Sequence, residues 1–188
     1  MLEKEYKSLL TEEEYKTLEA AFEWDSVKKQ ENHYFTDENG ILRANRVMFR
    51  VRVKDGKNVI QVKTHQNGGS PLQICEELEF ETDGVPDVIE NGEKYTGIKT
   101  AELHNIGCAV TLRHSKMWDA DTEICLDKTE YLGVCDYEIE IEYTSEEIDA
   151  ELTEKLKSMG IEFKAVSVGK FSRFLSVYNG LRAARNRE

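Results

Sequence analysis

The chain has 188 residues, only two prolines, four cysteines and a formal net charge of −12 at pH 7. Such acidity excludes a general nucleic-acid binder, because phosphate backbones are held by dispersed basic surface. The apolar runs are too short to span a bilayer, and the N-terminus lacks a signal-peptide core, so the expectation is a cytoplasmic protein with no membrane partner, folded as one domain over residues 1–188.

A first strand is expected around residues 2 to 8, with Glu3, Glu5 and Lys7 on one face. Thr11 followed by Glu14 reads as a capping box, and Tyr15, Leu18 and Phe22 recur at helical spacing, so a helix near 11–24 follows. Val27 to Phe35 reads as a strand, Asp37 to Gly40 as a turn, and Val47 to Lys54 as a strand that ends at Asp55-Gly56 and pairs back through Asn58 to Thr64. Another strand is predicted over Ile74 to Glu81, then a helix-biased, glycine-interrupted stretch from Pro86 to Ile106. Strands over Ala109 to Trp118, Glu123 to Asp127 and Cys135 to Tyr143 complete the set. Thr144 with Glu147 reads as a second capping box, leading into Ile148, Leu152, Leu156 and Met159 and ending at Gly160. Phe171, Phe174, Leu175 and Tyr178 mark a short final helix within a basic tail.

The polar faces of several strands are fully charged. Residues two apart on a strand share a face, so Arg50 and Arg52 stand opposite Phe49, Val51 and Val53, while Glu138, Glu140 and Glu142 stand opposite Ile139 and Ile141. Glu77, Glu79 and Glu81 repeat the pattern. A solvated antiparallel face also alternates, and for one strand that is the ordinary reading. Three like charges on one face are destabilising unless cations meet them, which points to a shared, charged interior. If the charges point inward, the apolar faces need cover from outside, and the amphipathic helices supply it. The expected fold is therefore α+β with about eight strands, a closed or nearly closed antiparallel barrel with a charged interior.

Carboxylates one residue apart on a strand can both reach a hard cation such as Mg2+ or Mn2+. Glu3 with Glu5, and Glu138 with Glu140, offer such pairs, while Arg50, Arg52, Lys63, Arg113, Lys170 and Arg173 supply guanidinium and ammonium groups suited to phosphate oxygens. Neither a Walker A loop nor a GxGxxG motif occurs, so a phosphate site would be built from side chains. Cys75, Cys108, Cys125 and Cys135 show no zinc-site spacing and read as reduced, buried thiols; His33, His65, His104 and His114 are scattered and carry no assigned chemistry.

Glu3-Lys4-Glu5-Tyr6-Lys7 resembles the ExExK motif of the CYTH superfamily, the triphosphate tunnel metalloenzymes, which include class IV adenylate cyclases, thiamine triphosphatases and inorganic triphosphatases. Asn32 to Asp37, Arg50-Val51-Arg52, Lys63, Glu77 with Glu79, Leu112-Arg113 with Trp118, Asp127 before Tyr131-Leu132-Gly133, and Glu138-Ile139-Glu140 follow in the family's order and extend the resemblance through Lys170. It is strongest to small bacterial members of the YjbK type. Two departures stand out: Thr36-Asp37 inverts the family's Asp-Thr order, which concerns structure, and Cys75 replaces a basic residue, which bears on substrate choice.

The resemblance makes the barrel an eight-stranded tunnel that binds a triphosphate, with Mg2+ or Mn2+ held by Glu3, Glu5, Glu79, Asp127, Glu138 and Glu140. It assigns phosphate contacts to Lys7, Arg50, Arg52, Lys63, Arg113 and Lys170, to which the charge pattern adds Arg173, and on this reading Glu5, Lys7, Glu79 and Glu140 are expected at the reacting phosphoryl group. Hydrolysis of inorganic triphosphate or a small triphosphate ester is the expected reaction, by a monomer or homodimer. Cyclisation of ATP, and regulatory binding without turnover, are the alternatives.

Overall fold

The computed structural model describes residues 2–66, 71–161, 163 and 168–185. In chain order the elements are β1 (Leu2–Leu10), α1 (Glu12–Ala21), β2 (Ser26–Asp37), α2 (Ile41–Ala44), β3 (Val47–Lys54), β4 (Lys57–His65), β5 (Gln73–Thr82), β6 (Val88–Ile89), α3 (Glu93–Thr96), β7 (Leu103–Met117), β8 (Thr122–Tyr131), β9 (Val134–Tyr143), α4 (Ala150–Ser158) and α5 (Lys170–Arg185). Neighbouring strands run β2-β3-β4-β5-β1-β9-β8-β7, and β2 pairs again with β7. That last ladder closes an eight-stranded antiparallel barrel and leaves no long edge exposed; two-residue β6 merely extends the edge of β7.

Local chemistry sets the corners. The β3–β4 hairpin turns on Asp55 and Gly56, at φ 53° and 74°, the paired left-handed conformation that right-twisted strands prefer. Leu132 and Gly133 do the same between β8 and β9, at φ 47° and 82°. A leucine pays sterically for that conformation, and here its side chain packs against the Tyr34, Tyr131 and Phe174 cluster in compensation. Thr11 and Glu14 form the reciprocal capping box at the start of α1.

Alternation then sends apolar side chains outward. Ile124, Leu126, Ile139 and Ile141 form one outer cluster under Tyr15, Leu18 and Phe22 of α1 and Leu152 and Leu156 of α4. Phe35, Phe49, Val51, Ile60 and Val62 form a second, covered by Leu42 of α2 and by Tyr95 of α3. A third packs α5 against β2, β7 and β8, where Phe174 is fully buried against Tyr34 and Tyr131. Cover is incomplete elsewhere, since Leu78 and Leu112 on outward faces stay exposed.

Three expectations are corrected. The stretch 86–106 is not helical: it holds one four-residue turn of helix, and β7 begins at Leu103, six residues earlier than the alternation predicts. Packing decides this, because Ile89, Tyr95, Ile98 and Leu103 all join the cluster over β3 and β4. Helix α4 is capped by Asp149, which accepts from the Leu152 amide at 2.9 Å, while Thr144 instead donates to Asp121. Finally, all four cysteines are free thiols, but only Cys75 and Cys125 are buried; Cys108 is half-buried and Cys135 exposed.

Candidate functional site

The charged faces converge inside the barrel on one cavity of about 1170 Å3. Glu5 and Lys7 come from β1, Arg50 and Arg52 from β3, Gln61 and Lys63 from β4, Glu77 and Glu79 from β5, Arg113 from β7, Glu140 and Glu142 from β9, and Lys170 from the first turn of α5. Glu3 lies on β1 opposite Cys75; its side chain falls outside the described residues.

One wall is acidic. Six carboxylates, Glu5, Asp127, Asp136, Glu138, Glu140 and Glu142, meet four cations, Lys7, Arg113, Lys170 and Arg173. Lys7 Nζ lies 2.8 Å from Glu5 and 3.5 Å from Glu140. Lys170 Nζ reaches Asp127 at 2.8 Å, Glu140 at 2.9 Å and also Glu138. Arg173 is bound to Asp136 and Glu138, each at 2.7 Å. The wall therefore keeps an excess of negative charge, and the burial of Asp127 and Glu138 makes that excess expensive.

The electrostatics divide these acids. Burial works against ionising Glu140, yet Lys170, Lys7 and Arg113 hold its carboxyl well below the usual range. Glu138 goes the other way, its carboxyl pushed up chiefly by burial. Burial likewise opposes the charge on Lys7, but Glu140 and Glu5 outweigh it and hold the ammonium up.

Two sets of acids bring three carboxylates within 4.8 Å of one another: Glu5, Glu140 and Glu142, and Asp127, Glu138 and Glu140. All-oxygen donor sets suit hard divalent ions. Cations stand among the acids of both sets, Lys7 and Arg113 in the first and Lys170 in the second, but neither Asp127 nor Glu138 lines the cavity. The first set opens into the cavity and is the better fit for a metal. Glu142 was absent from the expected ligands although its alternation with Glu138 and Glu140 signalled the face; depth along the tunnel is what the sequence pattern lacks.

The opposite wall is basic. Arg50 Nε donates to Gln61 at 2.8 Å, and Arg52 Nε donates to Asn32 at 2.9 Å. Among the described residues neither guanidinium forms a salt bridge, although Glu77 attracts Arg52 from a distance. Burial first, then repulsion from Arg50 and Arg113, draws the Arg52 guanidinium down from its ordinary value, and the attraction to Glu77 offsets part of that pull; arginine keeps its charge in proteins all the same. Lys63 faces Glu77 at 2.9 Å, and Glu79 accepts from Gln61. Glu79 thus sits on the basic wall, apart from the three-carboxylate sets. Asp37, the inverted position, caps α2 by accepting from the Ile41 and Leu42 amides at 2.7 and 3.0 Å. Cys75 is packed against His65, Sγ to Nδ1 3.1 Å.

The CYTH domain family model matches residues 1–171. A Bacillus subtilis protein described as "Putative triphosphatase YjbK" is 29% identical over 147 residues, covering 75% of this chain and 77% of that protein. Among solved structures, a Bacillus halodurans protein described as a "putative adenylate cyclase" superposes with a TM-score of 0.70 at 27% identity, covering 90% of this chain and 95% of that one. A Hippeastrum protein described as "Putative adenylyl cyclase HpAC1", said to reveal a dominant triphosphatase activity, gives 0.70 at 24% identity over 93% of this chain and 95% of that one. The latter likeness speaks for the fold.

Proposed function

Because the chain belongs to the CYTH domain family, we propose that residues 1–188 form one tunnel domain that hydrolyses inorganic triphosphate or a small triphosphate ester in the cytoplasm, using Mg2+ or Mn2+. The observation that carries the reading is the pairing of walls across one cavity: guanidinium groups that form no salt bridge among the described residues face a wall whose network, counted with the acids behind the lining, holds six carboxylates against four cations. A bare anion would be repelled by the acids and a bare cation by the arginines. A metal-bound triphosphate matches both.

Glu5, Glu140 and Glu142 are the residues we assign to metal, with Arg50, Arg52 and Lys63 gripping the phosphate chain. A divalent ion held there would polarise a phosphoryl oxygen for in-line attack by water. The lysines prepare the site, since Lys7 and Lys170 keep Glu140 ionised before any ligand arrives. Both also line the cavity; with a metal on Glu5 and Glu140 the Lys7 ammonium would be available to phosphate oxygens, while Lys170 would stay held by Asp127 and Glu138 at the cavity wall. Asp127 and Glu138 then serve as anchors for Arg113, Lys170 and Arg173 in place of direct ligands.

A triphosphate ester remains a second substrate class because of an apolar shelf. Tyr34, Met48, Phe171 and Leu175 line the same cavity beside α5, and its volume of about 1170 Å3 exceeds the range, roughly 300–1,000 Å3, that holds drug-sized ligands. The deciding experiment offers tripolyphosphate, ATP and thiamine triphosphate with Mg2+ or Mn2+ and identifies every product. Orthophosphate from tripolyphosphate, and ADP with phosphate from ATP, are expected. Cyclic AMP as the main product would replace this reading by a cyclase, and tight binding without turnover by a regulator.

A further inference from the structure

Outside the tunnel, the closing ladder of the barrel carries a cluster that no sequence spacing revealed. Glu31 and His33 are two apart on β2, so they share its outer face, opposite the inward Gln30 and Tyr34. Cys108 of β7 is the register partner of His33. One donor atom from each of the three lies within 4.8 Å of the others, and the His33 Nε2 to Glu31 Oε2 separation is 3.7 Å. All three residues are half-buried, hence supported by neighbours yet open to an ion from solution.

We propose that Glu31, His33 and Cys108 form a zinc site with water in the fourth position. A carboxylate, an imidazole and a thiolate are the three donor types zinc takes, and tetrahedral zinc at ~2.0–2.1 Å from nitrogen and oxygen sets those donors about 3.4 Å apart. The observed 3.7 Å between His33 and Glu31 is close to that span, and it uses the Glu31 oxygen that Lys29, bound to the other at 2.8 Å, leaves open; Cys108 lies within 4.8 Å and has further to move. The donor set is softer than the all-carboxylate set of the tunnel, so the two sites sort ions by chemistry: sulfur and nitrogen select zinc, and carboxylate oxygens select magnesium or manganese. Without the ion the Cys108 thiol is pushed up to about 11, mainly by burial and then by the Glu31 charge. Zinc binding therefore displaces the thiol proton to solvent as the metal–sulfur bond forms.

Placement gives the site its consequence. Strands β2 and β7 meet only where the barrel closes on itself, and the register slips between Tyr34 and Phe35, one residue beyond His33. An ion joining His33 to Cys108 fastens that seam from outside, behind Asn32, which holds Arg52 from within.

The test uses the full chain, freed of metal and kept reduced, with excess Mg2+ present so that the tunnel acids are occupied. Cobalt(II) replaces zinc as the probe because thiolate coordination gives a near-ultraviolet charge-transfer band and tetrahedral geometry gives intense visible bands. One equivalent of cobalt should produce both, and zinc should bleach them. Cys108→Ser should abolish the charge-transfer band, and His33→Ala should weaken zinc binding by more than the ~10–100-fold lost with an outer-shell partner. Zinc should raise the melting temperature of the parent and leave those of the folded variants unmoved. Cys135→Ser, which alters the exposed thiol, should retain the signal. A charge-transfer band that survives Cys108→Ser, or no zinc-dependent shift in the parent, overturns the proposal.

Discussion

Arg113 grips Asp127 through two parallel hydrogen bonds, Nε to Oδ1 at 2.8 Å and Nη2 to Oδ2 at 2.7 Å, across a directly opposed pair on β7 and β8. Asp127 is fully buried and Arg113 also meets Glu140 and Glu142. The guanidinium fork is thus largely consumed by protein carboxylates. Its first task is to hold the acidic wall together, and phosphate contact is left to its outer edge.

Removing it should accordingly cost stability as well as activity. Arg113→Ala strips the buried Asp127 of one of its two cations and leaves only Lys170, an effect of up to about 3–5 kcal/mol. Urea unfolding of the single variant and of Arg113→Ala with Asp127→Asn checks the cause: the double variant should recover part of the loss. Equal destabilisation in both would show that Asp127 is not the partner that matters.

Arg52 should behave differently. It is held by Asn32 and repelled by Arg50 and Arg113, so Arg52→Ala should leave the unfolding midpoint unchanged or slightly raised. If it grips the phosphate chain, kcat/KM should fall by about 2–4 kcal/mol of transition-state stabilisation, the scale of one lost charge-stabilising donor. The same loss is expected with tripolyphosphate and with ATP, since neither base nor sugar is involved.

Glu5→Gln and Glu140→Gln should lower metal-dependent hydrolysis by more than ~100-fold while the cooperative fold persists, because direct ligands matter more than their outer-shell partners. Excess chelator should abolish turnover in the parent. Isothermal titration with Mn2+ separates lost binding from lost chemistry, and unchanged Mn2+ affinity in both variants would remove these glutamates from the metal assignment.

The metal-free protein should keep its stability down to about pH 4 and lose it below. Asp127 and Glu140 are held low despite their burial, by Arg113 and Lys170 for the first and by Lys170, Lys7 and Arg113 for the second. Their contributions are complete above the unfolded values, about 3.9 and 4.3, and vanish as pH falls through the lower folded values. Glu138 opposes this, because its raised carboxyl favours the folded state on acidification, but it is one group against two. Lys7, held up, contributes below about 10.4 and loses that contribution at higher pH. Urea midpoints in EDTA from pH 2 to 8 should show the plateau; a steady decline between pH 7 and 5 would contradict it.

Phe174→Ala should couple fold to site. Its ring is fully buried between Tyr34 and Tyr131 and lies against Gly107, whose φ of 130° favours glycine and where an added Cβ would come within 3.1 Å of the ring. The truncation should cost about 3–5 kcal/mol and loosen the first turn of α5, which carries Lys170. Hydrogen exchange should rise in 170–185, with activity falling more than in Leu181→Ala, a change at an exposed position of the same helix.

The chain alone determined which side chains share a face. Alternation in Arg50-Val51-Arg52 and in Glu138-Ile139-Glu140-Ile141-Glu142, the Asp55-Gly56 corner and the Thr11 capping box are local consequences of backbone geometry, and each stands in the structure as the residues dictate. Tertiary structure decided what those faces meet. Only closure of β2 on β7 converts charged faces into an interior, and only the docking of α5 brings Lys170 to Asp127. Which of three aligned glutamates opens to the cavity depends on depth along the tunnel, set by strand tilt and register, as does the meeting of His33 with Cys108 from strands far apart in sequence. Such pairings rest on long-range hydrogen bonding and apolar cover, and period-two patterning carries no record of either.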